Sequence, residues 1–330
     1  MQTTVQRHLP CQLLIIAYFL AATSAHLPAA IAQAYPTKPI QLVTTSPGGG
    51  NDFAARLIAQ GLREIMGQPV LVVNRGGGGG IIAGDSVAKA PADGYTLILH
   101  GSTIWLLPFM RSDVPWDPIK DFAPITLAVS APNILVVHPS LPVGTVTDLI
   151  ALAKSRPGEL NDGAAGTGSA SHLSAELFKF MAKVKITRVS YRGAAPALNA
   201  LLSGEVQLLF PTAASVVGHV NSGRLRALAV TSRQPARLYP NVPTIANSGL
   251  PGYESITMTG ILAPGGMPAA LMLRINEYIV QVLNREEVKE KFSKAGVDVV
   301  GSSPEQFSST IKSEMLKWGT LIKNAGIRAE

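Results

Sequence analysis

Two glycine-rich stretches contain the residue types that could bind a small anion. The first follows a short apolar run, and both precede a helical pattern, so that glycines stand where the N–H groups of a helix N-terminus have no partner within the helix. Because glycine has no Cβ, an anion can approach these N–H groups closely. Loop 1 consists of Ser46, Pro47, Gly48, Gly49, Gly50, Asn51 and Asp52, and loop 2 consists of Gly166, Thr167, Gly168, Ser169, Ala170, Ser171 and His172.

The side chains of the two loops are expected to have different roles. A carboxylate that points into an anion site would repel the ligand, so Asp52 is interpreted as a helix cap. Hydroxyl and amide groups suit a carboxylate ligand, directly or through water, and the candidates are Ser46, Asn51, Thr167, Ser169 and Ser171. A tight turn with a capping residue remains the alternative for each loop, and these residues alone leave it open.

Motifs for enzymatic chemistry are incomplete. Neither loop contains the lysine of a phosphate-binding P-loop, and no serine stands in G-x-S-x-G. The histidines after residue 34 lack H-x-x-x-H spacing, and no metal or cofactor is predicted. Ser169 and His172 are three residues apart, so a secreted α/β enzyme that uses them as nucleophile and base is the alternative function. The favoured interpretation is that Ser169 caps a helix and that His172 packs against its neighbours.

The first 34 residues are predicted to be a signal peptide. Arg7 precedes the apolar run Leu13–Leu20, and Ala32-Gln33-Ala34 fits a signal-peptidase site. The run is well short of the roughly 20 residues that span a bilayer. Cleavage after Ala34, with Ala25 as a second possible point, predicts a periplasmic protein. It also removes Cys11, the only cysteine, so the mature chain is expected to form no disulfide.

The charge composition argues against a nucleic-acid surface. The 330-residue chain has 28 lysines and arginines against 21 acidic residues, and the basic residues are dispersed. Aromatic residues make up only 6% of the chain. No nucleic-acid partner is predicted, and the modest positive balance is compatible with an anionic small ligand.

Short β-type runs alternate with helical patterns from Pro39 onward, which predicts an α/β fold with mostly parallel sheets. The two glycine loops lie about 120 residues apart, each between a strand and a helix. This repeated arrangement predicts two lobes, each contributing one loop to a common cleft.

Several short motifs occur in an order and spacing that resemble a known family. They are Tyr35–Ile40, Pro47–Asp52, Gly67–Pro69, Asn74-Arg75, Asp93–Leu97, Gly166–Ser169, His172-Leu173, Tyr191–Gly193, Leu225–Ala229 and Pro251–Tyr253. Together they resemble the tripartite tricarboxylate transporter substrate-binding proteins, also called the Bug family. The resemblance extends from about Tyr35 to Ile327.

The resemblance implies a two-lobed periplasmic binding protein, type II-like, that closes on a small mono- or dicarboxylate. Lobe one would comprise residues 35–132 and 257–330, and lobe two residues 133–256. Both glycine loops would contact the ligand, together with Tyr191 and Phe210. The implied protein is a monomer without enzymatic activity that delivers its ligand to membrane transporter subunits, with a sensor protein as the alternative recipient.

Three residues depart from the family pattern around the expected ligand. The family commonly has an acidic residue where this chain has Pro211, and aromatic residues where it has Met258 and Thr259. The ligand of a relative therefore cannot simply be assigned to this chain.

Overall fold

The computed structural model describes residues 2, 35–45, 47–77, 80–164, 168–191, 193–324 and 326–328. The chain divides into a short unit, Met1–Thr37, and a large one, Lys38–Glu330, and the large unit is described below. Apart from residue 2, the predicted signal peptide lies outside the described residues, as do the candidate site residues Ser46 and Thr167. None of the helices in the described part of the chain is long and apolar enough to cross a membrane.

The first sheet contains six strands within the described residues. They are β1 (Ile40–Thr44), β2 (Val70–Asn74), β3 (Thr96–Gly101), β4 (Phe122–Pro132), β10 (Ile256–Pro264) and β11 (Asp298–Val299). Their order is β11-β4-β10-β3-β1-β2. β1 pairs in parallel with β2 and β3, while β10 pairs antiparallel with β3 and β4.

The second sheet contains five strands in the described part of the chain. They are β5 (Ile134–Val137), β6 (Asn161–Ala164), β7 (Thr187–Ser190), β8 (Leu208–Leu209) and β9 (Arg226–Val230). Their order is β7-β6-β8-β5-β9. β6 pairs in parallel with β7 and β8, and β5 pairs antiparallel with β8 and β9.

Both sheets are therefore mixed, whereas the sequence predicted mostly parallel strands. In the first sheet the reason is the path of the chain, which leaves along β4 and returns along β10. These two strands pair from Ile256 with Pro132 to Pro264 with Phe122. Because the outgoing and returning strands run in opposite directions, they form an antiparallel pair, while β1, β2 and β3 keep the parallel arrangement typical of helical crossovers.

Helices connect the strands and pack against the sheets. They are α1 (Gly50–Met66), α2 (Ile81–Ala88), α3 (Thr103–Leu106), α4 (Val146–Ser155), α5 (Ala170–Ala182), α6 (Ala194–Leu202), α7 (Val217–Asn221), α8 (Ala269–Leu283), α9 (Glu286–Lys294) and α10 (Pro304–Asn324). Two helix boundaries have local causes. Thr145 caps α4 by accepting from the Asp148 N–H, and Gly67 ends α1 in the left-handed conformation with φ 66°.

Buried hydrogen bonds join the segments where the chain passes between the sheets. Asn133 donates through Nδ2 to Ser174 Oγ at 3.1 Å, and Thr257 Oγ1 donates to Asn133 Oδ1 at 3.0 Å. The Asn133 N–H donates to Thr231 Oγ1 at 2.9 Å, and Ser174 Oγ also pairs with Ser255 Oγ at 2.8 Å. We call these five residues the crossing network. It ties the first turns of α5, which follows loop 2, to the start of β10.

Candidate ligand-binding pocket

A pocket of about 260 Å³ opens beside loop 1. Its walls come from loop 1 with the start of α1, from β4 and β10, from the segment after β8, and from the end of α9 with the residues that follow it. The lining residues are Gly48, Gly49, Gly50, Asn51, Phe53, Ala54, Val129, Ser130, Ala131, Thr212, Ala214, Thr257, Thr259, Phe292, Ala295, Gly296 and Val297. A larger groove of about 790 Å³ between Pro108–Ser112 and α10 contains no residue of either glycine loop.

Loop 1 presents the N-terminus of α1 to this pocket. Gly48 has a φ of +77°, a conformation that favours glycine, and Gly49 is extended with a φ of −89°. Gly49 is the N-cap and has no side chain to accept from the first-turn N–H groups. A Cβ built on Gly50 meets no heavy atom within 4 Å. The first turn of α1 therefore offers backbone donors that its own cap does not engage.

Asp52 holds loop 1 from behind the pocket. Its Oδ2 accepts from the Gly48 N–H and from Arg56 Nε, both at 3.0 Å, and its Oδ1 accepts from Asn74 Nδ2 at 2.8 Å. The hydrogen bonds from Arg56, Gly48 and Asn74 lower the pKa of Asp52 from 3.8 to about 2. Asp52 is buried and does not line the pocket, so its contacts are those of a loop-positioning residue.

We expect Asp52→Asn to lower the free energy of unfolding by about 1–2 kcal/mol at pH 7. This value allows for solvent screening of the ion pair, because the side chain of Arg56 is largely exposed. A carboxylate with a lowered pKa stabilises the fold above its unfolded-state pKa, so the difference from wild type should shrink as the pH falls from about 4 toward 2. Urea denaturation across pH measures it. Asp93→Asn, which removes an exposed pair with Lys38, should cost no more than about 0.5 kcal/mol. A difference that persists at pH 2 would contradict the assigned role.

Asn51 and Thr259 orient each other on the pocket wall. Thr259 Oγ1 donates to Asn51 Oδ1 at 3.2 Å. The amide oxygen can only accept, so the single hydroxyl hydrogen of Thr259 is used, and Asn51 keeps its Nδ2 hydrogens for another acceptor. Thr257 lies on the same face of β10, since residues two apart on a strand point to the same side. The sequence analysis singled out Asn51, and Thr259 as a departure from the family pattern, but not Thr257, although a spacing of two along a strand was a usable signal.

The remaining wall is mostly apolar. Phe53 meets Phe292 edge to face, with ring centroids 5.8 Å apart and an interplanar angle of 85°. Phe53 lies on the apolar side of α1, yet it is 41% exposed because it faces the pocket. Val129 and Ala131 pair with Thr259 and Thr257 across β4 and β10. Sequence reasoning missed Phe292 and β4 because they approach loop 1 only in the folded chain.

Loop 2 is held by two hydrogen bonds of its own. The Ser169 Oγ accepts from the His172 N–H at 3.2 Å, and the Gly168 N–H donates to His172 Nδ1 at 3.0 Å. Gly168 has a φ of +78°. The Oγ of Ser171 is buried and has no partner among the described residues. Unlike α1, helix α5 therefore begins with a side-chain cap.

His172 is a buried neutral imidazole. Its Nδ1 accepts from Gly168, so the ring hydrogen stands on Nε2, which lies 3.5 Å from Glu176 Oε1 and 3.2 Å from Arg188 Nη1. Burial is the main cause that lowers the pKa of His172. Lys179 forms an ion pair with Glu176 beside the ring. The ring thus anchors loop 2 from inside the protein, and its two nitrogens are occupied.

The other candidate residues of the sequence lie away from the pocket. None of residues 168–172 is among its lining residues. The hydroxyl of Tyr191 donates to Glu205 Oε1 at 2.7 Å. Phe210 is fully buried with its ring 5.7 Å from that of Phe178, which makes it a core residue instead of a wall of this pocket. No cluster of three metal-ligating side chains occurs within the described ranges.

Comparisons with known proteins identify the family. Residues 54–327 match the tripartite tricarboxylate transporter family receptor. BugT of Bordetella pertussis is 35% identical over 320 residues, covering 96% of this chain and 98% of BugT. A UPF0065 protein of Pseudomonas sp. strain P51 is 37% identical over 305 residues, covering 92% of this chain and 91% of that protein.

Solved structures agree with this assignment. R. palustris Rpa4515 with adipate is 38% identical and has a TM-score of 0.80, with 89% of this chain and 99% of that chain covered. The periplasmic binding protein BugD is 29% identical and has a TM-score of 0.78, with 90% and 100% covered. Both the mixed sheets and these neighbours show a two-lobed α/β fold of the periplasmic binding protein type. The chain therefore belongs to the tripartite tricarboxylate transporter receptors of the Bug family.

Proposed function

We propose that the protein is an exported periplasmic receptor that captures a small carboxylate and delivers it to the membrane subunits of a tripartite tricarboxylate-type transporter. The observation that carries the proposal is the uncapped start of α1 at Gly49, which opens into a pocket beside loop 1. Family membership supports it, as do the relatives Rpa4515 with adipate and MatC of Rhodopseudomonas palustris with malate.

The carboxylate is proposed to bind at loop 1. The N–H groups of Gly50 and Asn51 and the Nδ2 of Asn51 are donors on the pocket side. A helix N-terminus also carries about half a positive charge, which favours an anion at a wall where no lysine or arginine is found among the described residues. Loop 2 is the proposed second contact, through the unpartnered hydroxyl of Ser171 and the start of α5.

Closure between two lobes is part of the proposal. Residues 35–132 and 257–330 would form lobe one around the first sheet, and residues 133–256 lobe two around the second. The crossing network lies where the chain passes from one sheet to the other, at Asn133 and Ser255–Thr257. Export is proposed to follow cleavage after Ala34.

The contacts of Ser169 and His172 favour binding over turnover. A serine nucleophile needs a base with a free ring nitrogen and a group that orients the base. Here Nδ1 of His172 already accepts from Gly168, and Nε2 faces Glu176 and Arg188. Ser169 serves as the cap of α5. We therefore propose that the protein has no enzymatic activity.

Titration calorimetry of the purified exported protein with small carboxylates tests this function. We expect binding, and chromatography after overnight incubation should recover the acid unchanged. Conversion of the acid by wild type but not by Ser169→Ala would replace the receptor with an enzyme. Failure of every mono- and dicarboxylate to bind would reject the proposed function itself.

His172 predicts a pH dependence of the proposed binding. Protonation of Nδ1 would break its bond to Gly168, and a lowered pKa means that this occurs below the ordinary value near 6.5. The unfolded chain then takes up the proton first, so acidification below about pH 6.5 also lowers stability. We expect wild-type affinity to fall about tenfold as acidification below pH 6.5 protonates the ring, the effect of roughly one lost hydrogen bond.

Two variants distinguish the contribution of the His172 ring to the pH dependence from the contributions of other titrating groups. His172→Asn places an acceptor oxygen where Nδ1 stands and should bind at pH 7.5 about as well as wild type, with a flatter pH profile. His172→Leu should bind about tenfold more weakly at every pH. Asp162, Glu176, Lys179 and Arg188 surround the ring and remain in both variants. An unchanged pH profile in His172→Asn would assign the dependence to those groups.

A further inference from the structure

We infer that the ligand is a carboxylate with an apolar body and no ammonium group, so that the pocket rejects amino acids. The inference rests on the proposed function, because it takes the pocket beside loop 1 as the ligand site. It follows from the charges, the hydrogen-bond donors and the apolar groups that the pocket wall presents.

The pocket wall offers no counter-charge for an ammonium group. None of its lining residues, all within the described part of the chain, has an ionisable side chain. Asp52 is the acid of loop 1, but its oxygens are engaged by Gly48, Arg56 and Asn74. Asp298 follows the lining residue Val297 but is exposed and outside the pocket. An ammonium group in this pocket would lose its water without gaining an ionic partner, which is strongly unfavourable.

The polar groups of the wall are arranged for an acceptor ligand. The hydroxyl hydrogen of Thr259 goes to Asn51 and that of Thr257 goes to Asn133. Those two bonds leave Asn51 Nδ2 as a donor beside the backbone N–H groups of the first turn of α1. Asn51 Nδ2 and the N–H groups of the first turn of α1 therefore lie together at loop 1, where a carboxylate would accept from them, and the hydroxyls of Ser130 and Thr212 also line the pocket.

Apolar side chains of the same wall suit hydrocarbon. Phe53 and Phe292 form its aromatic side, and Val129, Ala131 and Val297 extend it. A methylene chain or an aromatic ring packs favourably there, since apolar area removed from water is the main source of affinity in such sites. The volume of about 260 Å³ is just below the roughly 300 Å³ at which pockets for drug-sized ligands begin, which limits the ligand to a small acid.

Matched pairs of acids test the inference on the wild-type protein. Glutarate and glutamate differ only by the ammonium group, and so do adipate and 2-aminoadipate. Calorimetric titration should show glutarate or adipate binding, with the amino analogue of the bound acid at least about 100-fold weaker. Succinate and malate complete the panel as short acids without and with a hydroxyl.

The outcomes separate this inference from the function on which it rests. Amino analogues that bind within tenfold of their parents would overturn it, and so would binding of malate alone, while carboxylate capture would stand in both cases. If no acid of the panel or other mono- or dicarboxylate binds, the proposed function fails instead.

A gain-of-function variant tests the assigned position. Val297→Asp would place a carboxylate among the apolar lining residues. We expect it to lower the ratio of the affinities for adipate and 2-aminoadipate at least tenfold. Val300→Asp is the matched control, because Val300 is exposed and lines only the neighbouring groove, whereas Val297 lines both that groove and the pocket. Circular dichroism confirms that both variants fold. An equal effect of the two substitutions would show that the change acts through general electrostatics and not within this pocket.

Discussion

A valine at Gly50 is expected to abolish carboxylate binding while leaving the protein folded. Gly50 is the first residue of α1, it lines the pocket, and a Cβ there would enter open space. Its branched side chain would cover the N–H groups that the carboxylate needs, and its Cβ meets no heavy atom within 4 Å. Because valine has a better helix propensity than glycine, stability should be unchanged or slightly higher. Titration with the tightest acid of the panel should show at least about 100-fold weaker binding.

The opposite end of the same helix supplies the control. Gly67 has a φ of +66° and also has open space around it, so Gly67→Ala strains the backbone far from the pocket. It should cost about 1 kcal/mol of stability without changing affinity. Normal binding by Gly50→Val would place the anion site elsewhere. Gly49 has a φ that any residue can adopt, so glycine is required there only if the ligand must approach the backbone closely. Gly48 has a left-handed conformation, which itself favours glycine.

Loop 1 was predictable because its signals are local. A strand, a run of glycine, serine or asparagine, and a helical pattern lie within about a dozen residues, and β1 with α1 follows this order as expected. The interpretation of Asp52 as a capping residue was equally local, since a carboxylate in the first helical turn is favoured by the unpaired N–H groups nearby. In the structure Asp52 does not cap the helix, because the N-cap is Gly49 and Asp52 accepts from the Gly48 N–H before the helix, from Arg56 and from Asn74.

Strands with poor local signals were missed. β6 has the sequence Asn-Asp-Gly-Ala, which lacks strand-favouring residues, and its pairing with β7 and β8 makes it a strand. That pairing buries Asp162 completely, and burial raises the pKa of its carboxyl well above the usual range. β4 contains Pro124 near its start, and its length follows from pairing with β10. Such long-range pairings are invisible to reasoning over a short window.

The Phe292 side of the pocket could not be predicted from the sequence for the same reason. Phe292 lies on the last turn of α9, and only the folded chain brings it against Phe53. Phe210 shows the converse case, because an aromatic residue after a strand suits either a ligand wall or a core. Its contact with Phe178 places it in the core. Residue type therefore indicated the glycine loop at which we propose that the anion binds, and tertiary packing determined the aromatic side of the pocket.

Replacing Asn133 by leucine is expected to lower the free energy of unfolding by about 2–4 kcal/mol. Asn133 is 1% exposed, and its side chain accepts from Thr257 and donates to Ser174. Leucine has a similar size but offers neither group, so the hydroxyl of Thr257 loses its acceptor and Ser174 loses a donor. Urea denaturation provides the measurement. Asn284→Leu, the same substitution at an exposed position, should change stability by no more than about 0.5 kcal/mol.

A double-mutant cycle distinguishes a hydrogen-bond effect from a packing effect at Asn133. Thr257→Val removes the hydroxyl with little change of shape and should cost about 1 kcal/mol in the wild-type background. In the Asn133→Leu background the same hydroxyl has no acceptor, so its removal should be neutral or stabilising. The two losses would simply add if leucine acted through its shape alone. A coupling of about 1 kcal/mol or more would show that the crossing network stabilises the passage between the sheets through this hydrogen bond.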